Sequence, residues 1–282
     1  MELLIHTIEH AFIDCLRMLP FLFAAFLLIE ALEHYSGNLS AKVMEKVGKA
    51  GPVVGALAGC IPQCGFSVMA ANLYAGGVVS AGTLLAVFLA TSDEAVLILL
   101  GNPGRAGEVI RLLAVKVVIA IVAGYVADLL LKERLSSEKS SGNLCDHCGC
   151  HKEHAGILMP AWRHTFRLFI YLVLFTWGLN LVIEVFGIEN LSAFLLGDTV
   201  FQPVIAALIG LIPNCAASVI LTQLYLGGAI SFASVVAGLS TGAGAGLIVL
   251  FKINRNRKEN VKIMIMLYIT AVVAGLLLQF VN

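Results

Sequence analysis

The stretch Gly59-Cys60-Ile61-Pro62-Gln63-Cys64-Gly65-Phe66-Ser67-Val68 lies inside an apolar run. It returns later as Gly210-Leu211-Ile212-Pro213-Asn214-Cys215-Ala216-Ala217-Ser218-Val219. Proline removes a backbone donor and clashes with the preceding turn, so a helix in hydrocarbon is expected to break at each copy. Each break carries an amide, a thiol and a hydroxyl in the same order. Interrupted apolar segments at matching places in two halves point to a transporter's binding site.

Working outward, apolar segments fall at 11–34, 51–75, 78–101, 109–131, 164–187, 203–226, 229–251 and 261–281. Each is close to the ~20 residues that span ~30 Å of hydrocarbon. The chain is 59% hydrophobic and 13% charged, with a mean hydropathy of +0.94. Soluble domains average ~25% charged residues, so the composition is that of an all-α polytopic membrane protein. Zero net charge removes the basic surface that nucleic acid would need. Met1-Glu2 opens without the basic start of a cleavable signal.

The halves align. His10-Ala11-Phe12 matches His164-Thr165-Phe166, and Glu30 matches Glu184. At an offset of 151, Pro52 then meets Pro203, Cys64 meets Cys215, Tyr74-Ala75-Gly76-Gly77 meets Tyr225-Leu226-Gly227-Gly228, and Gly124 meets Gly275. The expected organisation is therefore a first membrane repeat (1–131), a polar Cys/His-rich linker (132–163) and a second membrane repeat (164–282).

Basic residues set the orientation. The loop after the first span holds Lys42, Lys46 and Lys49, whereas its counterpart, 188–202, holds Glu189 and Asp198 and no base. The loop 252–262 holds Lys252, Arg255, Arg257, Lys258 and Lys262, against Arg105 and Arg111 in its counterpart. Opposite bias in equivalent loops predicts inverted repeats, with the linker and both basic loops cytoplasmic and both termini outside. Inversion requires an odd number of crossings per half. One of the segments 51–75 and 78–101 is therefore expected to be re-entrant or doubly broken, giving about ten membrane segments counting half-helices.

The candidate substrate site follows from the breaks. Cys60, Cys64 and Cys215 offer soft sulfurs suited to a soft metal or trivalent arsenic. Gln63 pairs with Asn214, Ser67 with Ser218, and Asn72 with Gln223. These amides and hydroxyls are expected to serve ligand and freed backbone alike. Asp93 and Glu94, deep in an apolar segment, are the expected proton- or cation-coupling carboxylates. Their counterparts are Gly244 and Ala245, bare backbone that an opposing chain can approach. The competing role for Asp93-Glu94 is the wet tip of a hairpin or an N-cap for the helix starting at Ala95.

In the linker, Cys145, His147, Cys148, Cys150, His151 and His154 form a flexible zinc-type or soft-metal tract. No resident cofactor is required, and this tract is the one expected place for a bound metal ion. There is no Walker A sequence and no His-Glu-x-x-His helix, so neither ATP-driven pumping nor metalloprotease chemistry is expected. The chain reads as a carrier and not an enzyme.

With the duplicated break, Cys60-Ile61-Pro62-Gln63-Cys64-Gly65 and Thr91-Ser92-Asp93-Glu94-Ala95 in view, the chain resembles the ten-span heavy-metal exporter family. Its members are labelled arsenic efflux proteins or manganese transporters. The resemblance covers essentially the whole chain. It implies export of a metal or metalloid across a bacterial or archaeal cytoplasmic membrane. The expected function is secondary-active, proton-coupled antiport of a divalent cation such as Mn²⁺ or Zn²⁺, or of arsenite. The alternatives are a channel or permease for a small neutral or anionic solute, and a membrane metal sensor. Expected partners are the bilayer, the metal or metalloid and, for a homo-oligomer, further copies of the chain.

Overall fold

The computed structural model describes residues 50–62, 65–101, 106–131, 158–186 and 201–281, with ten residues between Phe12 and Leu27. The side chains of Asp93, Glu94, His164 and Cys215 lie outside the described set. All regular structure among the described residues is helical. In chain order the helices are α1 (Gly51–Gly59), α2 (Gly65–Ala75), α3 (Ala81–Ala90), α4 (Asp93–Leu100), α5 (Ala106–Leu131), α6 (Leu158–Phe186), α7 (Gln202–Gly210), α8 (Cys215–Leu226), α9 (Phe232–Thr241), α10 (Ala245–Ile253) and α11 (Arg257–Val281). Among the described residues, four stretches are long and apolar enough to cross a membrane: Ala81–Leu100, Gly107–Leu131, Phe232–Ile253 and Arg257–Phe280. The first and third are cut at residues 91–92 and 242–244.

Helices α1 to α5 recur as α7 to α11, each pair at or near the 151-residue offset. α3 and α9 are the centre of each half. Every residue of both is buried, as expected of a helix that is apolar on all sides. By contrast, α5 turns Ile110, Val118, Val122, Val126 and Leu129 outward, and α11 turns Ile265, Ile269, Val273 and Leu277 outward. Those stripes face lipid.

In hydrocarbon, helices associate through close contact of small residues and not through release of water. α1 lays Gly51, Gly55 and Gly59 along α3. A Cβ at Gly51 would meet Thr83, one at Gly55 the Thr83 carbonyl at 2.8 Å, and one at Gly59 the Val87 carbonyl at 2.6 Å. α1 and α3 therefore run in the same direction. α5 runs against both: Gly124 abuts Pro52 and the Gly82 carbonyl, at 2.7 and 2.8 Å from its would-be Cβ. The second half repeats the arrangement. Gly210 meets the Gly238 carbonyl and Thr241, and Gly275 meets Ala237 and Pro203 at 2.7 and 2.9 Å.

These contacts decide what 51–75 does. α1 and α3 begin at the same end of the bundle, yet only residues 76–80 separate α2 from α3. Five residues reach at most about 18 Å, whereas α1 and α2 laid end to end would exceed ~30 Å. α2 therefore returns to the end where α1 started. The return is closed by a Schellman turn, with Gly77 N–H donating to Tyr74 O (2.9 Å) and Val78 N–H to Leu73 O (2.8 Å). Gly77 has φ +71°, a left-handed conformation that glycine adopts freely. Gly228, at φ +73°, closes α8 in the same way. Thus 51–75 is a hairpin, and 81–100 is a cut helix that goes on.

The N-terminus of α3 is tied down by Ser80, whose hydroxyl accepts from Thr83 N–H (3.1 Å) and donates to Asp128 Oδ2 (2.9 Å). Asp128 Oδ1 accepts from Gly82 N–H at 2.7 Å. The second half reaches the same end differently. Gln202, at the position equivalent to Gly51, accepts from Ser231 N–H (3.0 Å) and Ser234 Oγ (2.8 Å). Gln279, equivalent to Asp128, leaves its buried Oε1 without a hydrogen-bond partner. One side chain closes each cap, supplied by α5 in one half and by α7 in the other.

Across the halves, α2 packs on α10 and α4 on α8, an exchange of hairpin arms. The two large core clusters are accordingly mixed. Val68 and Leu84 share one with Val249, and Ala95 and Leu112 share the other with Leu221 and Leu239. The first helical segment and α6, equivalent in the repeat, lie against each other. Phe12 contacts Phe169 (ring centroids 5.9 Å apart) and Phe23 contacts Trp162 (5.8 Å), so they run in opposite directions.

Two stability predictions follow. Gly210→Ala drives a Cβ into the Gly238 backbone and should cost about 1–3 kcal/mol, a fall of roughly 2–10 °C in melting temperature. Gly107→Ala, with nothing within 4 Å, should be neutral or better. Asp128→Ala should cost about 1–2 kcal/mol. Giving the first half the second half's cap, as Gly51→Gln/Thr83→Ser/Asp128→Gln, should recover most of that loss. Thermal unfolding of the purified protein in detergent reads all of these.

Candidate functional site

Each proline break begins as a tightening last turn. After α1, Cys60 N–H donates to Leu57 O (3.3 Å) and Ile61 N–H to Ala58 O (3.2 Å). These i→i+3 bonds satisfy part of the helix end before Pro62 stops it. After α7, Ile212 N–H donates to Ile209 O at 3.0 Å and Asn214 N–H to Ile212 O at 2.7 Å. Asn214 then caps α8, its Oδ1 accepting from Ala216 N–H at 3.3 Å.

The breaks lie at one level. A Cβ at Gly59 would touch Ala90 Cβ (2.8 Å) and Thr91 N (3.3 Å), which puts the end of α1 beside the cut between α3 and α4. Gly210 stands beside Thr241 and the end of α9 in the same way. The two halves meet there too. A Cβ on Gly246, at the start of α10, would lie 2.8 Å from Ser67 Cβ and 2.9 Å from the Phe88 ring. The ends of three helices from one half thus face those of the other around a common centre.

At that centre stands Lys116, midway along α5 and 0% exposed. Its ammonium donates to Thr91 O and Ser92 Oγ (2.6 Å) at the first cut, and to Leu239 O (2.8 Å) in the last turn of α9. Cys60 lies within its electrostatic reach. The Lys116 position in the second half is Leu267, equally buried. Lys116 was not among the expected site residues. The signal was present: one cation at the middle of a span whose mean hydropathy is 2.3.

The expected site residues divide clearly. Ser67 is fully buried at the contact with Gly246. Asn72 is 1% exposed, with Nδ2 donating to Val68 O (2.9 Å) and Oδ1 unpartnered. Its match Gln223 is exposed and Ser218 half-buried, whereas Asn214 and Thr222 of the second-half hairpin are buried. Cys60 is a half-buried free thiol capping α1. Cys215 opens α8 as its first residue. Asp93 and Glu94 form the first turn of α4, with Ser92 before them as N-cap, so neither is the cap of a helix starting at Ala95. The close backbone approach expected at Gly244 is found at Gly246, while Gly244 makes the turn with φ +52°.

Gln63, Cys64 and the ligand candidates Cys145, His147, Cys148, Cys150, His151 and His154 lie outside the described residues. Among the described residues, no three His, Cys, Asp or Glu side chains gather as a metal-holding set. What the described centre offers is buried oxygen. Ser240 Oγ and Asn72 Oδ1 lack partners, and buried polar groups in that state accept water or a solute.

No curated protein and no solved structure gives a significant match to the chain. A family model described as "Putative, 10TM heavy-metal exporter" matches residues 1–187 and, overlapping them, 170–282. The match spans the first segment, both hairpins, both cut helices and the linker between the halves. The chain belongs to this family of ten-span, heavy-metal exporter-type membrane proteins.

Proposed function

We propose that the chain is a secondary-active exporter of inverted-repeat design, whose halves rock about the buried centre to pass a heavy-metal cation or arsenite outward. The observation that carries this reading is the meeting of both halves' interruptions at Lys116, a centre closed by the halves themselves.

Several contacts support inversion. α5 runs against α3 but alongside α9: Arg111 lies over the Phe232 ring at 4.3 Å, and Lys116 bonds Leu239 O. α3 and α9 thus approach the centre from opposite ends. α2 and α10 start together at Ser67 and Gly246, and end together where Glu259 comes within electrostatic reach of Tyr74. With 51–75 as a hairpin, each half crosses three times and re-enters once, the odd parity that inversion needs. Counting hairpin arms gives ten segments.

Orientation is argued from the same map. The start of α1, the end of α5 and the turn between α10 and α11 share one end of the bundle. Lys252, Arg255, Arg257 and Lys258 lie at that end, and in the sequence residues 35–50 lead into α1 and the linker follows α5. Basic residues collect on the cytoplasmic side, so that end is cytoplasmic and both termini are outside.

Substrate binds between the hairpins, through Cys60, Cys64 and Cys215 with Gln63, Ser67, Asn72 and Asn214 around them. Ser218 and Gln223 flank the second break. Asp93 and Glu94, carboxylates set in an apolar segment of the sequence, exchange a proton for it. A return to the closed state requires a helix-to-helix fit, which the glycine contacts supply.

Transport in proteoliposomes tests the reading. Arsenite export should fall about tenfold or more, ~1.4 kcal/mol, in Cys64→Ser and Cys215→Ser. Mn²⁺ or Zn²⁺ export should fall similarly in Asp93→Asn and Glu94→Gln. Indifference of every ion to all four changes would remove this site. Deleting 145–154 should shift apparent affinity and abolish zinc uptake by the linker, while export continues. Complete loss of function on that deletion would favour a sensor.

A further inference from the structure

Lys116 is the residue that the exporter mechanism leaves unused. An ammonium carries three donors, and here Thr91 O, Ser92 Oγ and Leu239 O take three hydrogen bonds from it. The acceptors are more telling than the lysine. Thr91 is where the chain leaves α3, at φ −56° and ψ +129°. Leu239 would bond Ala243 N–H if α9 continued, but Ala243 N–H turns to Thr241 O at 2.8 Å. Both carbonyls are thus orphans of cut helices, at the negative ends of α3 and α9. Two such carbonyls and a hydroxyl converging on one point make the kind of oxygen cage that unwound helices offer to small cations.

We propose that Thr91 O, Ser92 Oγ and Leu239 O form a monovalent-cation site between the halves, and that Lys116 is its tethered occupant. The chain carries its own cation where a carrier of similar build would bind a free one. The first half supplies the ammonium and two of the ligands, and the second half the third. Closing the halves fills the site, and separating them strips Leu239 O from the ammonium. That consequence rests on the rocking-exporter reading; the site itself does not.

The test needs no substrate. Full-length Lys116→Ala is purified and its melting temperature measured in choline, sodium, ammonium and methylammonium chloride at equal ionic strength. The variant should melt below wild type in choline. Ammonium or methylammonium near 100 times its dissociation constant should raise it by about 5–10 °C, with wild type unmoved within about 1 °C. Lys116→Met, whose uncharged stem fills the space, should be destabilised and indifferent to the salts. The proposal is overturned if Lys116→Ala melts alike in all four salts, or if Lys116→Met is as stable as wild type. Should Lys116→Ala not accumulate, the stability of Lys116→Met against wild type decides. Export by Lys116→Ala should be stimulated by ammonium. Salt-dependent melting without any export by wild type would sink the exporter reading and leave the cation site standing.

Discussion

A helix cut inside a bilayer leaves carbonyls that no water can satisfy, and the described residues cut helices at four places. The structure depends on how those ends are answered. At α1 and α7 the answer is a tightened turn before proline. At α3 and α9 it is a lysine from α5, which reaches Thr91 and Leu239 at once. Each unanswered carbonyl would cost about 1–3 kcal/mol, and an ammonium without acceptors would cost more. Neither the cuts nor the lysine would be tolerable alone; together they hold the two halves at one point.

Around that point the packing is made of absence. Glycines at 55, 59, 82, 124, 210, 238 and 275 allow backbone-to-backbone contact that a methyl group would block. In lipid, such contact is the main attraction available between apolar helices. It also suits the proposed rocking of the halves, because no large side chain has to be threaded back into a pocket. The two caps make a related point. Asp128 and Gln202 hold equivalent helix starts from different neighbours, so the repeat preserves the local demand for an acceptor and not the residue that meets it.

Much of this was legible in the sequence for identifiable reasons. The helix breaks at Pro62 and Pro213 rest on covalent sterics, and the 151-residue register linked α1–α5 to α7–α11 without any appeal to packing. The glycine turns at Gly77 and Gly228 were visible as the repeated Tyr-x-Gly-Gly. Direction was not legible. An apolar run of 51–75 has the same hydropathy whether it crosses or returns, and only the contacts of Gly51, Gly55 and Gly59 with α3 decide. Matching also misled: Asn72 and Gln223 align, yet one is buried and the other exposed. Lys116, whose counterpart in the repeat is Leu267, was missed although it stands mid-span in an apolar helix, as Asp93 and Glu94 stand in another. Gln63 and Cys64, the residues most emphasised by the sequence, lie outside the described structure.

The account stands on α3 and α9 reaching the centre from opposite ends, and one proximity measures that directly. In a chain with its native cysteines replaced, Arg111→Cys and Phe232→Cys are introduced, the membranes treated with a short bifunctional thiol reagent, and the linker cut by protease. The account predicts that the two fragments stay joined on a denaturing gel, because the starts of α5 and α9 adjoin. Fragments that separate, while an Ala81→Cys/Phe232→Cys pair becomes linked instead, would place both halves in the same sense and contradict it.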